Sequence, residues 1–341
     1  MKVTVNKIAE IAKVSRGTVD RVIHDRSGVN EDVRKKIQSI ITALDYTPNL
    51  AGKALVSQNK NIEIGVVLAP DFHPFVGEVR EGIKSEAEEI KAFGVDVDIE
   101  VVKTLDVAEQ IEIIDRLESR NIAGLAIVPI DDDLVRLRLN ELTAKGIPVV
   151  TFNSDIKGSG RLAFVGQNNE KAGRTAYGLM ENILPAGSPI AVITSSMGLD
   201  CHRFRLGGFQ ERLEESESKL EILSIDENRD RDDAAFDIII KYGEKYPDLK
   251  GVYLTGGGAS GLGKGLKICG MDRIVKVITH DRVPPVIEMM KSGIVKFTIC
   301  QNPRNQGALP IKILFDYIFK KKSPDKEMNF TGIDIRTIDN V

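Results

Sequence analysis

Residues 3–22 read Val-Thr-Val-Asn-Lys-Ile-Ala-Glu-Ile-Ala-Lys-Val-Ser-Arg-Gly-Thr-Val-Asp-Arg-Val. Thr4 is a good N-cap, and Val5, Ile8, Ala9 and Ala12 follow at helical spacing. Lys13-Val14 reads as a tight turn. Ser15 caps a second helix whose apolar side is Val19, Val22 and Ile23. After a loop containing Gly28, Asn30 caps a third helix with Val33, Ile37, Ile40, Ile41 and Leu44 inward. Pro48 stops it, because proline cannot continue a helix and restrains the residue before it.

Three short helices with a tight turn between the first two make a helix-turn-helix. In that motif the first turn of the second helix meets base edges in the major groove. Here that turn is Ser15, Arg16, Gly17 and Thr18, with Arg21 one turn on. Arginine can fork onto O6 and N7 of guanine, while Ser and Thr suit phosphates. Arg16 and Arg21 are the expected base readers. The plainer alternative is a three-helix interaction module with solvated arginines. Charge leans the other way. Residues 1–60 carry eleven Lys and Arg against six Asp and Glu, whereas the whole chain has a net charge of −3. A basic end on an acidic body suits a polyanionic partner.

The segment Tyr46-Thr47-Pro48-Asn49-Leu50-Ala51-Gly52-Lys53-Ala54-Leu55 completes a pattern. The run from Val3 to Leu55 resembles the headpiece and hinge of the lactose-repressor (LacI–GalR) family. The resemblance implies a hinge helix that folds on operator DNA and a minor-groove wedge at Leu55. Thr4, Asn49 and Lys53 join Ser15, Arg16, Gly17, Thr18, Arg21 and Leu55 as expected DNA contacts. Two departures bear on affinity: Asp20 stands where Ser is usual, and Gly52, where Ala is common, weakens a hinge helix.

From Ile62 onward, strands and helices alternate, and the strands are nearly continuous apolar runs. That pattern predicts parallel sheets covered by helices on both faces. The rhythm restarts after Gly160, so two doubly wound lobes are expected, with a ligand cleft where the strand C-termini face each other. The family resemblance extends here and implies a body like a ribose-type periplasmic binding protein, in which the chain crosses three times between lobes. The expected division is a headpiece over 1–48, hinge and linker over 49–60, and a sensing body over 61–341. Crossings near 153–162, 282–293 and 320–328 would give an N-lobe of about 61–155 and 294–320. The C-lobe would then be about 162–285 and 328–341.

Carried over position by position, the resemblance implies a ligand set. Phe75 or Phe72 would stack on a sugar ring. Asn153 and Asp155 would meet hydroxyls, although Asn and Asp also suit turns. Arg205, favoured over Arg203, would reach the effector, Asp281 would accept from neighbouring hydroxyls, and Gln301 would line the cleft. Gln167-Asn168 is a possible helper. The run Thr255 to Gly265 departs from the family. Its bare amides at a helix start could favour an anion through Gly257, yet Gly265 stands where a phosphate loop needs Ser or Thr. The plainer reading is a flexible strand-to-helix turn. Sugar, polyol and sugar phosphate therefore all remain open as effector.

Other classes are disfavoured. Cys201, Cys269 and Cys300 are odd in number and far apart, which suits buried thiols in a reducing cytoplasm. His24, His73, His202 and His280 lack zinc spacing, no H-E-x-x-H, C-x-x-C or G-x-S-x-G motif appears, and the lone G-x-G-x-x-G match in the glycine run is weak by itself. No run of roughly eighteen apolar residues would span a membrane. A secreted solute receptor would lack the headpiece and begin with a signal segment. The expected protein is a cytoplasmic, dimeric, sugar-responsive repressor without a cofactor. A corepressor-dependent regulator of a non-sugar or phosphorylated ligand is the alternative.

Overall fold

A computed structural model of the chain describes residues 4–23, 27–44, 62–70 and 73–341. The headpiece is three helices: α1 (Val5–Ala12), α2 (Arg16–Ile23) and α3 (Glu31–Ala43). The Thr4 hydroxyl accepts from the Lys7 amide, and the Asn30 side chain accepts from Asp32, so each cap satisfies an otherwise orphaned helix N–H. Lys13 takes a left-handed conformation (φ 59°) and closes α1, which makes the turn. Ile8, Ala12, Val19 and Ile37 bury one small shared core. Asn49, Lys53, Leu55 and Phe72 lie outside the described residues.

The body opens with β1 (Ile62–Leu68), α4 (Pro74–Lys91), β2 (Val95–Val101), α5 (Val107–Ser119) and β3 (Gly124–Ile127). It continues through α6 (Asp133–Ala144), β4 (Val149–Phe152) and β5 (Ala163–Gln167). Next come α7 (Asn169–Ile183), β6 (Pro189–Thr194), α8 (Asp200–Glu215), β7 (Glu221–Glu227), α9 (Asp232–Lys245) and β8 (Gly251–Leu254). Then α10 (Ala259–Ile268), β9 (Lys276–His280), α11 (Pro284–Lys291) and β10 (Val295–Cys300) follow. The chain ends with α12 (Pro303–Phe315), a π-helical turn (Asp316–Lys320), β11 (Met328–Thr331) and β12 (Asp334–Arg336).

One sheet has the order β11-β5-β4-β3-β1-β2 and the other β12-β10-β9-β8-β6-β7. All pairings are parallel except β10 with β12. The central strands are buried on both faces, as their apolar runs require, while the edge strands β2, β7 and β11 are largely half-buried or exposed. Val66, Ala126 and Val150 lie on one side of the first sheet, and Val67, Leu125 and Val149 on the other.

The lobe boundaries need correction. Ala163–Gln167 pairs with β4 and belongs to the N-lobe, so the chain first crosses at 167–169. The segment 153–162 is a loop that folds back. Ile156 is buried in the N-lobe core, and Asp155 grips Arg161 within the loop at 2.5 and 2.7 Å. The strand after α11 pairs with β9, because the left-handed Gly293 (φ 79°) turns it straight back into the C-lobe sheet. The second crossing is therefore at 300–303. Met328–Thr331 pairs with β5 in the N-lobe, and the third crossing is at 331–334. Each misplacement moved one strand between lobes.

The three crossings are tied side by side. Gln167, from the first, donates to the Cys300 carbonyl of the second and the Gly332 carbonyl of the third. Gln306 donates to Gln301 and to Thr331. The Gln306 hydrogen bonds are buried and those of Gln167 partly so, where unmade hydrogen bonds are expensive, so the three crossings are joined to one another. Gln167 is thus used in the hinge.

Candidate functional site

In the headpiece, Ser15, Arg16, Gly17 and Arg21 are exposed on or beside α2, and Thr18 is half-buried. The Ser15 hydroxyl accepts from the Thr18 amide and shares a hydrogen bond with the Thr18 hydroxyl at 2.9 Å. Those two residues start the helix, and Thr4 starts the one before it. The guanidiniums of Arg16 and Arg21 stand on the open face. Gly17 leaves space: beyond its own turn, a Cβ there would meet only Ser15 Oγ at 3.7 Å.

Between the lobes lies a cleft of about 610 Å³. Phe75, Asn153, Arg205, Gly257, Asp281 and Gln301 all line it. Asp155 does not, because its carboxylate is taken by Arg161 and by the Thr151 hydroxyl at 2.6 Å. Asp155 is a loop clasp in this structure and not the cleft residue the family resemblance implied.

The cleft walls are held from behind. Arg205 is buried, with Nε donating to Asn169 at 3.1 Å and one terminal nitrogen to the Thr255 carbonyl at 2.7 Å. Gln301 donates to both oxygens of Asp281, at 2.9 and 3.2 Å. Burial raises the Asp281 carboxyl above the usual carboxylate range, against the pull of His73 and Arg205. Asn153 donates to Gln306, which links the cleft to the hinge. His280, behind Asp281, shares a hydrogen bond with the Tyr253 hydroxyl at 2.8 Å, and burial holds its imidazole far below the usual histidine range.

Three cleft residues at strand ends are left-handed without being glycine: Asn153 (φ 61°) after β4, Asp230 (φ 59°) after β7 and Asp281 (φ 66°) after β9. Arg229 (φ 52°), next to Asp230, is a fourth. Such backbone costs about 1–3 kcal/mol per residue and gathers where side chains must be aimed.

Sequence reasoning missed His73, His202 and Asp230. Asp230 Oδ1 accepts from the Ser195 hydroxyl at 2.5 Å and the Gly257 amide at 2.6 Å. Burial opposes its charge, but His202, His73 and these two donors hold its carboxyl below the ordinary value. His202 is pushed down to about 4 by burial, which outweighs the attraction of Asp230. The glycines explain why these groups fit. A Cβ on Gly257 would lie 2.8 Å from Asp230 Oδ1 and 2.9 Å from His73. One on Gly256 would lie 2.2 Å from Ser195 Oγ. One on Gly261 would strike the Asp232 carbonyl at 1.7 Å, where α10 packs on α9. Three amides of the glycine run are also occupied: Gly257 serves Asp230, and Ser260 and Gly261 serve Asp232. Three of the amides that the anion alternative would have used therefore already face the chain's own carboxylates.

The lobes touch beside the cleft. The Asp131 amide donates to the Gly198 carbonyl at 2.9 Å, and Arg203 pairs with Asp131. Asp200 Oδ1 accepts from the Ser154 hydroxyl at 2.6 Å and the Asp155 amide at 2.8 Å. Burial raises the Asp200 carboxyl to about 6 despite those donors. Arg203, set aside in favour of Arg205, is thus part of an interlobe contact.

Comparison with known proteins accounts for both parts of the chain. Residues 64–322 match the periplasmic binding protein domain, and residues 4–49 match the lacI family of bacterial regulatory proteins. The D-allose-binding periplasmic protein of Escherichia coli is 26% identical over 74% of this chain and 84% of its own length. The transcriptional regulator MalR of Streptococcus pneumoniae is 36% identical over 26% of this chain and 28% of its own. A solute-binding protein from Burkholderia graminis, solved with D-arabinose, superposes with a TM-score of 0.77 at 25% identity. That superposition covers 82% of this chain and 96% of the solved one. No helix among the described residues is long and apolar enough to cross a membrane. The chain belongs to the lacI family of DNA-binding transcription regulators, and its ligand-sensing body is a periplasmic binding protein domain.

Proposed function

We propose that the protein is a homodimeric repressor of genes for carbohydrate or polyol use, released from its operator when a small sugar or polyol fills the cleft. It acts in the cytoplasm, by binding alone. The observation that carries this reading is the joining of two sites in one chain. An open arginine-bearing helix face stands at one end, and a cleft lined by Arg205, Asp281 and Gln301 at the other. An acidic group fixed by an amide and set near a guanidinium suits neighbouring hydroxyls, which both donate and accept. The D-allose- and D-arabinose-binding relatives support a sugar.

Two headpieces on a two-fold axis would read a near-palindrome. Closure of the cleft about the hinge would change the spacing between them and so the DNA-bound population. Arg16, Arg21, Ser15, Gly17, Thr18 and Thr4, with Asn49, Lys53 and Leu55 of the hinge, are the proposed DNA contacts. Phe75, Asn153, Arg205, Asp281 and Gln301 are the proposed effector contacts. Selection of binding sites from random duplex by the full chain tests the reading. The expected result is a near-palindromic sequence whose base preference relaxes in Arg16→Ala, by about 1–3 kcal/mol at one position. Retention of full base discrimination by Arg16→Ala would remove α2 from the groove.

A further inference from the structure

The loop after β7 does something unusual to reach the cleft. Two successive non-glycine residues, Arg229 and Asp230, are left-handed there, at φ 52° and 59°. The result is a carboxylate under the glycine turn that follows β8. Both hydrogen bonds to it fall on Oδ1, from Ser195 and Gly257. Oδ2 has no protein donor among the described residues and belongs to a residue lining the cleft. The glycines at 256 and 257 are the condition for this arrangement, since a Cβ on either would come within 3 Å of Asp230 Oδ1.

Charge around that point is mixed, because acidic groups share the cavity wall with Arg205, Arg229 and Arg231. Asp281 lines the same cavity and feels the charge of Asp230 directly. Asp106 and Glu227 line it as well. Arg205 is the buried guanidinium of the same wall, with two of its nitrogens already bonded to Asn169 and Thr255. Three of the amides that would welcome an oxyanion there, those of Gly257, Ser260 and Gly261, are spent on Asp230 and Asp232. A carboxylate with one oxygen tied to the backbone can accept from a ligand hydroxyl. It also repels a phosphate or carboxylate at close range in a site of low dielectric.

We propose that Asp230 is the specificity-determining residue of the cleft: it accepts a hydroxyl of an uncharged polyhydroxy effector and excludes phosphorylated or carboxylated ones. This rests on the sugar reading above for the nature of the effector. The exclusion of anions rests on the Asp230 carboxylate, whose Oδ2 no described residue donates to, and not on the net charge of the cleft.

The test uses the full chain, with Asp230→Asn and Asp230→Ser. Asn removes the charge and keeps an acceptor for Ser195 and Gly257. Ser removes the charge and frees both donors. Melting temperature and calorimetry are read against D-allose, D-ribose and D-arabinose, against D-ribose 5-phosphate and D-arabinose 5-phosphate, and against inorganic phosphate. Circular dichroism confirms that each variant folds. The expected result is no stabilisation of the unchanged chain by any phosphate. The preference for phosphate over parent sugar should rise at least tenfold in Asp230→Asn and further in Asp230→Ser. Stabilisation of the unchanged chain by a sugar phosphate as strongly as by its sugar would overturn the proposal. So would variants no more responsive to phosphates than the unchanged chain. If no sugar bound while phosphates entered the variants alone, the sugar reading would fall and the role of Asp230 would stand.

Discussion

The two walls of the cleft are built from different materials. On the N-lobe side stand Ala69, Pro70, Phe75, Val76 and Leu105, with Asn153 and the ring of His73 among the polar groups. On the C-lobe side stand Arg205, His202, Asp230 and Asp281, each tied into the strands behind it. The first wall offers shape and apolar area. The second offers charge in a fixed position, which must be supported by hydrogen bonds because unsupported buried charge is costly. A change on the charged wall should therefore damage fold and ligand response together, while a change on the apolar wall should be absorbed.

Arg205→Ala should break the comparison hardest. It strips a buried guanidinium from Asn169 and the Thr255 carbonyl, and we expect a loss of about 3 kcal/mol of stability with the effector response abolished. Chemical denaturation and ligand titration measure both, and an unchanged midpoint would refute the view that the charged wall is structural. Gly257→Ala comes next. Its methyl would press on Asp230 and His73, which should cost roughly 1–3 kcal/mol and weaken ligand binding while leaving DNA binding of the ligand-free chain intact.

Asp200→Asn probes charge where the lobes meet. The native carboxyl is raised to about 6 chiefly by burial, so the folded state holds its proton more tightly than the unfolded chain does. Stability contributed at this site is then highest below about pH 4, falls as pH rises to about 6, and is flat above. Asn keeps the acceptor that Ser154 and the Asp155 amide use but cannot ionise. The variant should be more stable than the parent by about 3 kcal/mol at pH 8, with the difference vanishing near pH 4. Equal gains at both pH values would show that burial of the charge is not the cause. Phe75→Leu, on the apolar wall, should change least: under about 1.5 kcal/mol in stability and a few-fold in effector affinity by calorimetry.

The same contrast explains what the sequence disclosed. Local signals were sufficient for the headpiece: Thr4 and Asn30 cap helices, and Lys13 makes the turn, as their types and spacing suggest. The alternating body was legible for the same reason. The lobe crossings were not, because nothing local distinguishes a loop that returns from one that crosses. Only the pairing of Ala163 with Val150 and the clasp of Arg161 on Asp155 decide it. Asp155 failed as a cleft residue through that partner, six positions away. Asp230 escaped notice because its position depends on two left-handed residues and on glycines more than twenty positions later. The glycine run left an anion site open beside the plainer turn, because its two carboxylate partners come from the preceding turn and helix and no local signal announces them.

The central claim is that the cleft controls the headpiece. Its most direct test is the affinity of the full chain for a selected operator, followed by fluorescence anisotropy while D-allose, D-ribose, D-arabinose and simple polyols are titrated in. The account predicts that one of them weakens operator binding at least tenfold in the unchanged chain and not in Arg205→Ala. Operator affinity that stays flat across the panel, or release that survives Arg205→Ala, would contradict it.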